Sequence, residues 1–82
     1  MSQPFAQQFK TRLALLVFIK GAAAPMVLYF EDVKAEYDEF LAAMQLPVGK
    51  LIEKEPIGPI KKVAVMSNQI ASLAIQEELC QQ

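Results

Sequence analysis

From Thr11 to Lys20 the chain is almost continuously apolar and rich in β-branched and aromatic residues. Read with a period of two, Leu13, Leu15, Val17 and Ile19 share one face of a strand, and Ala14, Leu16 and Phe18 share the other. Arg12 and Lys20 suit its exposed tips. A strand apolar on both faces is normally a central one, covered above and below. One helix covers only one face of a small sheet, so the second face requires another chain or some other partner. After Gly21, which is free to take positive φ, Pro25 fits the first residue of a strand because it cannot donate to a ladder. Met26 to Phe30 then predicts a second strand, hairpin-paired with the first and again apolar throughout.

The period changes next. Asp32 or Glu31 offers an N-cap oxygen, and the acidic pair sits where the helix dipole is positive. Val33, Tyr37, Phe40, Leu41 and Met44 follow the i, i+4, i+7, i+8, i+11 spacing of one helical stripe. Lys34, Glu36, Asp38 and Glu39 fall on the wet side, with Lys34 one turn from Asp38. Pro47 ends the helix and biases Leu46 away from helical geometry. Beyond Gly49, Lys50 to Glu55 alternates in the manner of a strand, Pro56 to Pro59 is a turn by composition, and Lys61 to Met66 predicts a further strand. Ser67 to Gln82 admits two readings. It has good helix formers and possible caps in Ser67 and Asn68, yet Ala71, Leu73 and Ile75 alternate with Ser72, Ala74 and Gln76, which favours a strand from Ile70 to Gln76.

The order is therefore ββαβββ, an α+β fold with a small antiparallel sheet and one amphipathic helix packed on one face. Residues 1–10 read as a frayed start, 11–78 as one domain and 79–82 as a polar tail carrying Cys80. Tyr37 to Met44, the strand Lys61-Lys62-Val63-Ala64-Val65, and Ile70-Ala71 with Ile75 together resemble a small uncharacterised protein family of cyanobacteria and plastids, over roughly the last fifty residues. The resemblance supports a strand at Ile70 to Gln76 and implies no activity. The longer N-terminus and the Pro56 to Pro59 turn depart from it.

Composition narrows the function. Eighty-two residues make one domain with a thin core, for which disulfides, a metal or a second subunit are the usual supports. Cys80 is the only cysteine and there is no histidine, which removes an internal disulfide and a structural zinc and leaves self-association. A formal charge of −1 does not suit a nucleic-acid binder. Lys10 and Arg12 before the apolar run, with Ala22 to Ala24 after it, imitate a signal peptide, but Lys20 and Gly21 interrupt the run and Pro25 breaks any membrane span. A buried strand in a cytoplasmic protein is the preferred expectation, with no membrane partner.

Candidate chemistry is sparse. Without histidine, proton transfer near neutrality would fall to a tuned carboxylate, lysine or tyrosine. Glu53 and Glu55 lie on one strand face roughly 7 Å apart, but a solvated face beside Lys54 explains them better. Cys80 sits in a polar tail with no histidine to activate it. The acidic residues of the helix do not follow a calcium loop. No enzymatic role, cofactor or metal is expected. Lys61 and Lys62, beside the Pro56 to Pro59 turn, are candidates for an anion site, set against their commoner role of guarding a strand edge. Apolar surplus is the feature without a local explanation. Leu16, Phe18, Met26, Leu28 and Phe30 are expected to line the sheet face opposite the helix and to form an interface. The expectation is a non-catalytic protein–protein interaction module working as a homodimer, with a small-ligand or anion binding domain built on residues 56–62 as the alternative.

Overall fold

The computed structural model describes residues 9–81 and the side chains of 10–80. Most of the expected frayed start, residues 1–8, lies outside the described residues, as does Gln82. Strand β1 spans Phe9–Ile19, β2 Met26–Leu28, helix α1 Val33–Met44, β3 Leu51–Lys54, β4 Val63–Met66 and β5 Ile70–Gln81, with a 3-10 turn at Ser67–Gln69. The α+β fold and its ββαβββ order are as the pattern predicts. The strands divide, however, into an antiparallel three-stranded sheet ordered β2-β1-β5 and an antiparallel pair β3-β4.

The doubly apolar β1 is the central strand of its sheet, as its composition requires. At its end a tight turn closes with Ala22 N–H donating to Ile19 O at 3.1 Å, and Gly21 takes φ +79° there. The hairpin sets Leu15 opposite Leu28, Leu16 opposite Val27 and Val17 opposite Met26. Residues directly opposite in an antiparallel pair point to the same side. Leu15 and Val17 face the helix, and so do Leu28 and Met26. The placement of Met26, Leu28 and Phe30 on the far face is therefore corrected: Leu28 is fully buried in the helix-side core, and Met26 and Phe30 pack against that core. Only Leu16 and Phe18 of the five belong to the far side, where Val27 joins them.

Helix α1 begins as its sequence directs, with the Asp32 carboxylate accepting from Ala35 N–H at 3.1 Å. Val33, Phe40 and Ala43 are buried and Tyr37 and Met44 flank them, while Leu41 turns toward solvent. Phe40, Leu15, Leu28 and Val17 are the largest fully buried side chains. Glu36, expected on the wet side, is half-buried beneath Lys54 of β3. In the β3–β4 pair, Ile52, Val63 and Val65 turn to the core, whereas Leu51 and Met66, directly opposite each other, face outward. Ser67 extends this pairing: its N–H donates to Lys50 O at 2.8 Å and its buried hydroxyl accepts from Lys50 N–H at 2.9 Å.

Strand β5 is where sequence and structure differ most in extent. It runs 12 residues, into positions the pattern reads as a tail, and pairs with β1 from Ile19 opposite Ile70 to Phe9 opposite Gln81. Phe18 faces Ser72 while Ile19 faces Ile70, so Ala71 is an extra residue in the ladder. This bulge changes the side-chain parity. It lets Ile70 point into the core together with Leu73 and Ile75, and leaves Ala71 exposed.

Candidate functional site

Three places are open to a partner: the outer edge of β5, a cleft where β2 leaves β1, and the surroundings of the Pro56 to Pro59 turn. The cleft is built by a divergence of strands. After Leu28 the chain stops following β1, because Tyr29 pairs instead with Ile57, whose N–H donates to Tyr29 O at 2.8 Å. Gly58 then passes under the Tyr29 ring with φ +89°, so close that a Cβ there would lie 2.9 Å from the ring carbon Cδ2. Both the left-handed backbone and the close approach call for glycine. The gap left between Thr11–Leu13 and Tyr29–Val33 has a volume of about 360 Å³, with Leu13, Phe30, Val33 and Ile57 as apolar lining and Arg12 and Glu31 as its charges.

A polar cluster closes one side of the gap. The Arg12 guanidinium carbon stands 4.1 Å from the Tyr29 ring centroid, within cation–π range. The Tyr29 hydroxyl donates to Glu78 Oε1 at 2.9 Å, Gln76 donates to Glu78 Oε2 at 3.3 Å, and Arg12 Nε lies 3.4 Å from Glu78 Oε1. Arg12 and Glu78 are register partners across β1 and β5. The hydrogen bond to Glu78 is the main reason the Tyr29 phenol is held above its ordinary pKa, with burial adding to it and the Arg12 charge opposing it.

The Pro56 to Pro59 turn is anchored by the Tyr29–Ile57 bridge, and Pro56 is buried. Lys61 and Lys62 lie beyond it, both exposed. Lys62 borders a shallow hollow together with Glu53, Lys54 and Glu55, so an anion placed there meets two carboxylates. Lys54 is already engaged, donating to Glu39 at 2.6 Å and lying 3.0 Å from Glu36 Oε1. That second contact has the distance of an ion pair without hydrogen-bond alignment. The Glu39 hydrogen bond chiefly raises the Lys54 pKa; burial works against it and Glu36 reinforces it. Glu53 and Glu55 are exposed, as expected of a solvated face. Among the described residues no group of acidic, cysteine or histidine side chains is arranged to hold a metal ion, and no helix is long and apolar enough to cross a membrane.

The remaining place is the edge. β5 closes one side of the order β2-β1-β5, so its outer side has no strand partner among the described residues. Its sequence, Ile70 to Gln81, contains no proline, lysine or arginine; of the features that guard such an edge it carries only the acidic pair Glu77 and Glu78 and the bulge at Ala71. Leu79 on this strand is 75% exposed, and Leu73 and Ile75 are half-buried. On the far face Leu16, Phe18 and Val27 are half-buried as well. Cys80 lies within β5 opposite Lys10, not in a loose tail, and is half-buried. Leu79, Val27 and the Arg12–Tyr29–Glu78 cluster escaped the sequence reading. Val27 is recoverable from hairpin parity, but Arg12 and Glu78 are 66 positions apart and meet only through the β1–β5 register. No protein-family model, curated protein or solved structure matches this chain.

Proposed function

We propose that the chain is a non-catalytic protein–protein interaction module that works as a homodimer. The observation that carries this reading is the 12-residue β5 edge, unguarded by proline or cation and bearing the exposed Leu79. An edge of this kind pairs with another chain unless something prevents it, and two-fold self-association is the commonest way to close one. Leu16, Phe18 and Val27 offer the surface for a further protein on the face away from the helix. The near-neutral charge argues against nucleic acid.

Light scattering after size exclusion, with reductant present so that Cys80 cannot cross-link, tests this. The expected result is twice the chain mass, persisting on dilution into the low micromolar range or below. A mass equal to one chain at every concentration overturns the homodimer.

The cleft favours a second reading, a small apolar ligand held between Leu13, Phe30, Val33 and Ile57 with a polar group toward Arg12. Thermal unfolding in the presence of short aliphatic carboxylates checks it. A rise in Tm that Leu13→Trp abolishes supports the ligand site; a Tm unmoved by the whole series rejects it.

A further inference from the structure

Resting on the homodimer reading, we propose that β5 pairs antiparallel with β5 of a second copy, with Gln76 on the two-fold axis. The two three-stranded sheets then form one six-stranded sheet, β2-β1-β5 continuing into the partner's β5-β1-β2.

The first argument is geometric. β1 and β5 pair along their whole length, but β2 accompanies β1 only from Leu15 to Val17. On the helix side, Leu15 and Val17 are fully buried and Leu73 and Ile75 half-buried, whereas Thr11, Glu77 and Leu79 beyond them are exposed. The outer part of the ladder is thus an overhang that the described residues do not cover. An antiparallel two-fold brings the covered part of one copy beside the overhang of the other, so each fills what its partner lacks.

The second argument fixes the register. A two-fold perpendicular to the sheet keeps both helices on one side, and opposed residues must then share a face. Leu79 can accordingly face only helix-side positions of the partner strand. With Gln76 on the axis, Leu79 meets Leu73, Glu77 meets Ile75, Glu78 meets Ala74 and Cys80 meets Ser72. Moving the axis to Glu77 or Glu78 sets a carboxylate against its own copy, a destabilising like-charge pair. Moving it to Ile75 sets Leu79 against Ala71, at the bulge. Among these positions only Gln76 keeps the carboxylates apart and gives Leu79 an apolar partner outside the bulge. The only charges on each edge are Glu77 and Glu78, which this register sets against Ile75 and Ala74 of the second copy's strand and not against each other.

The test uses the full chain with Cys80→Ser. Gln76→Cys in that background places two thiols directly opposite across an antiparallel pair, at a Cα separation a disulfide spans. Mild oxidation is expected to convert it to covalent dimer, while Phe18→Cys in the same background stays uncrosslinked. Leu79→Lys, at a site exposed in the monomer, is expected to keep the far-ultraviolet circular dichroism and to weaken the dimer about tenfold or more. Phe18→Lys should leave its dissociation constant unchanged. A dimer that cross-links through Phe18→Cys but not Gln76→Cys, or that Phe18→Lys dissociates and Leu79→Lys does not, overturns the edge pairing and leaves the homodimer standing. A monomeric parent chain removes both.

Discussion

Tyr29, the residue that follows β2, is where the Pro56 to Pro59 turn attaches and where the β5 carboxylate Glu78 finds its donor. Its hydroxyl is a hydrogen-bond donor only while protonated, and the same holds for the Lys54 ammonium donating to Glu39. Both groups have folded pKa values raised above their ordinary 10.0 and 10.5. A raised folded value means that the contribution to stability is complete below the unfolded pKa and is lost as the pH climbs through the folded one. The urea midpoint is therefore expected to be little affected by these two groups from about pH 7 to about pH 9.5 and to fall above about pH 10. Comparing midpoints at about pH 8 and about pH 11 checks this, and Tyr29→Phe should show a smaller alkaline loss than the parent. An equal fall in the variant would assign the loss elsewhere. Such couplings are hidden from a sequence reading, because Arg12 lies on β1, Glu78 on β5 and Tyr29 just beyond β2, and only the folded sheet makes them neighbours.

Helix α1 was the most legible element. Its cap, stripe and stop are all local, spaced within a turn or two, and the structure starts it at Val33 behind Asp32 and ends it at Met44. Asp32→Ala is expected to cost about 1 kcal/mol, the usual worth of an N-cap side chain, read as a lowered urea midpoint with an unchanged slope. A loss near zero would mean that Glu31 or water takes over the cap. Strand β5 was half legible. Its alternation announced a strand from Ile70, but the bulge at Ala71 and the continuation through Glu77 to Gln81 depend on β1 lying alongside. Glu77 and Glu78 do not continue the alternation, and residues 79–82 read as a tail when the neighbouring strand is not known. The hairpin was predicted correctly as a pairing and wrongly in parity for Met26 and Leu28, since the turn length that sets register was not fixed by pattern alone.

For the whole molecule, the sequence makes the α+β class, the element order and the central position of β1 readable. It does not reveal that β3 and β4 form a pair of their own, since alternation specifies that a strand has two faces but not which strand it joins. Of the candidate site, apolar surplus was readable, while its location was not. Leu16 and Phe18 lie on the face away from the helix, whereas Met26, Leu28 and Phe30 lie on the helix side. Leu79, the most exposed large apolar residue of the three-stranded sheet among the described residues, lies where a tail is expected. Lys61 and Lys62 are accessible, but the carboxylates of Glu53 and Glu55 beside Lys62 give that corner no strong preference for an anion. The length of the β1–β5 ladder has one more consequence, for folding kinetics. The β1–β2 hairpin closes a short loop and forms early, whereas β5 joins β1 across separations such as the 66 positions from Arg12 to Glu78, for which loop closure costs more entropy and pairing is slower. Between these two events β1, apolar on both faces from Leu13 to Ile19, waits with one edge bare. During that interval the β5 of a neighbouring molecule is a chemically identical substitute for its own, so the yield of correctly paired monomers depends on how dilute the refolding chain is.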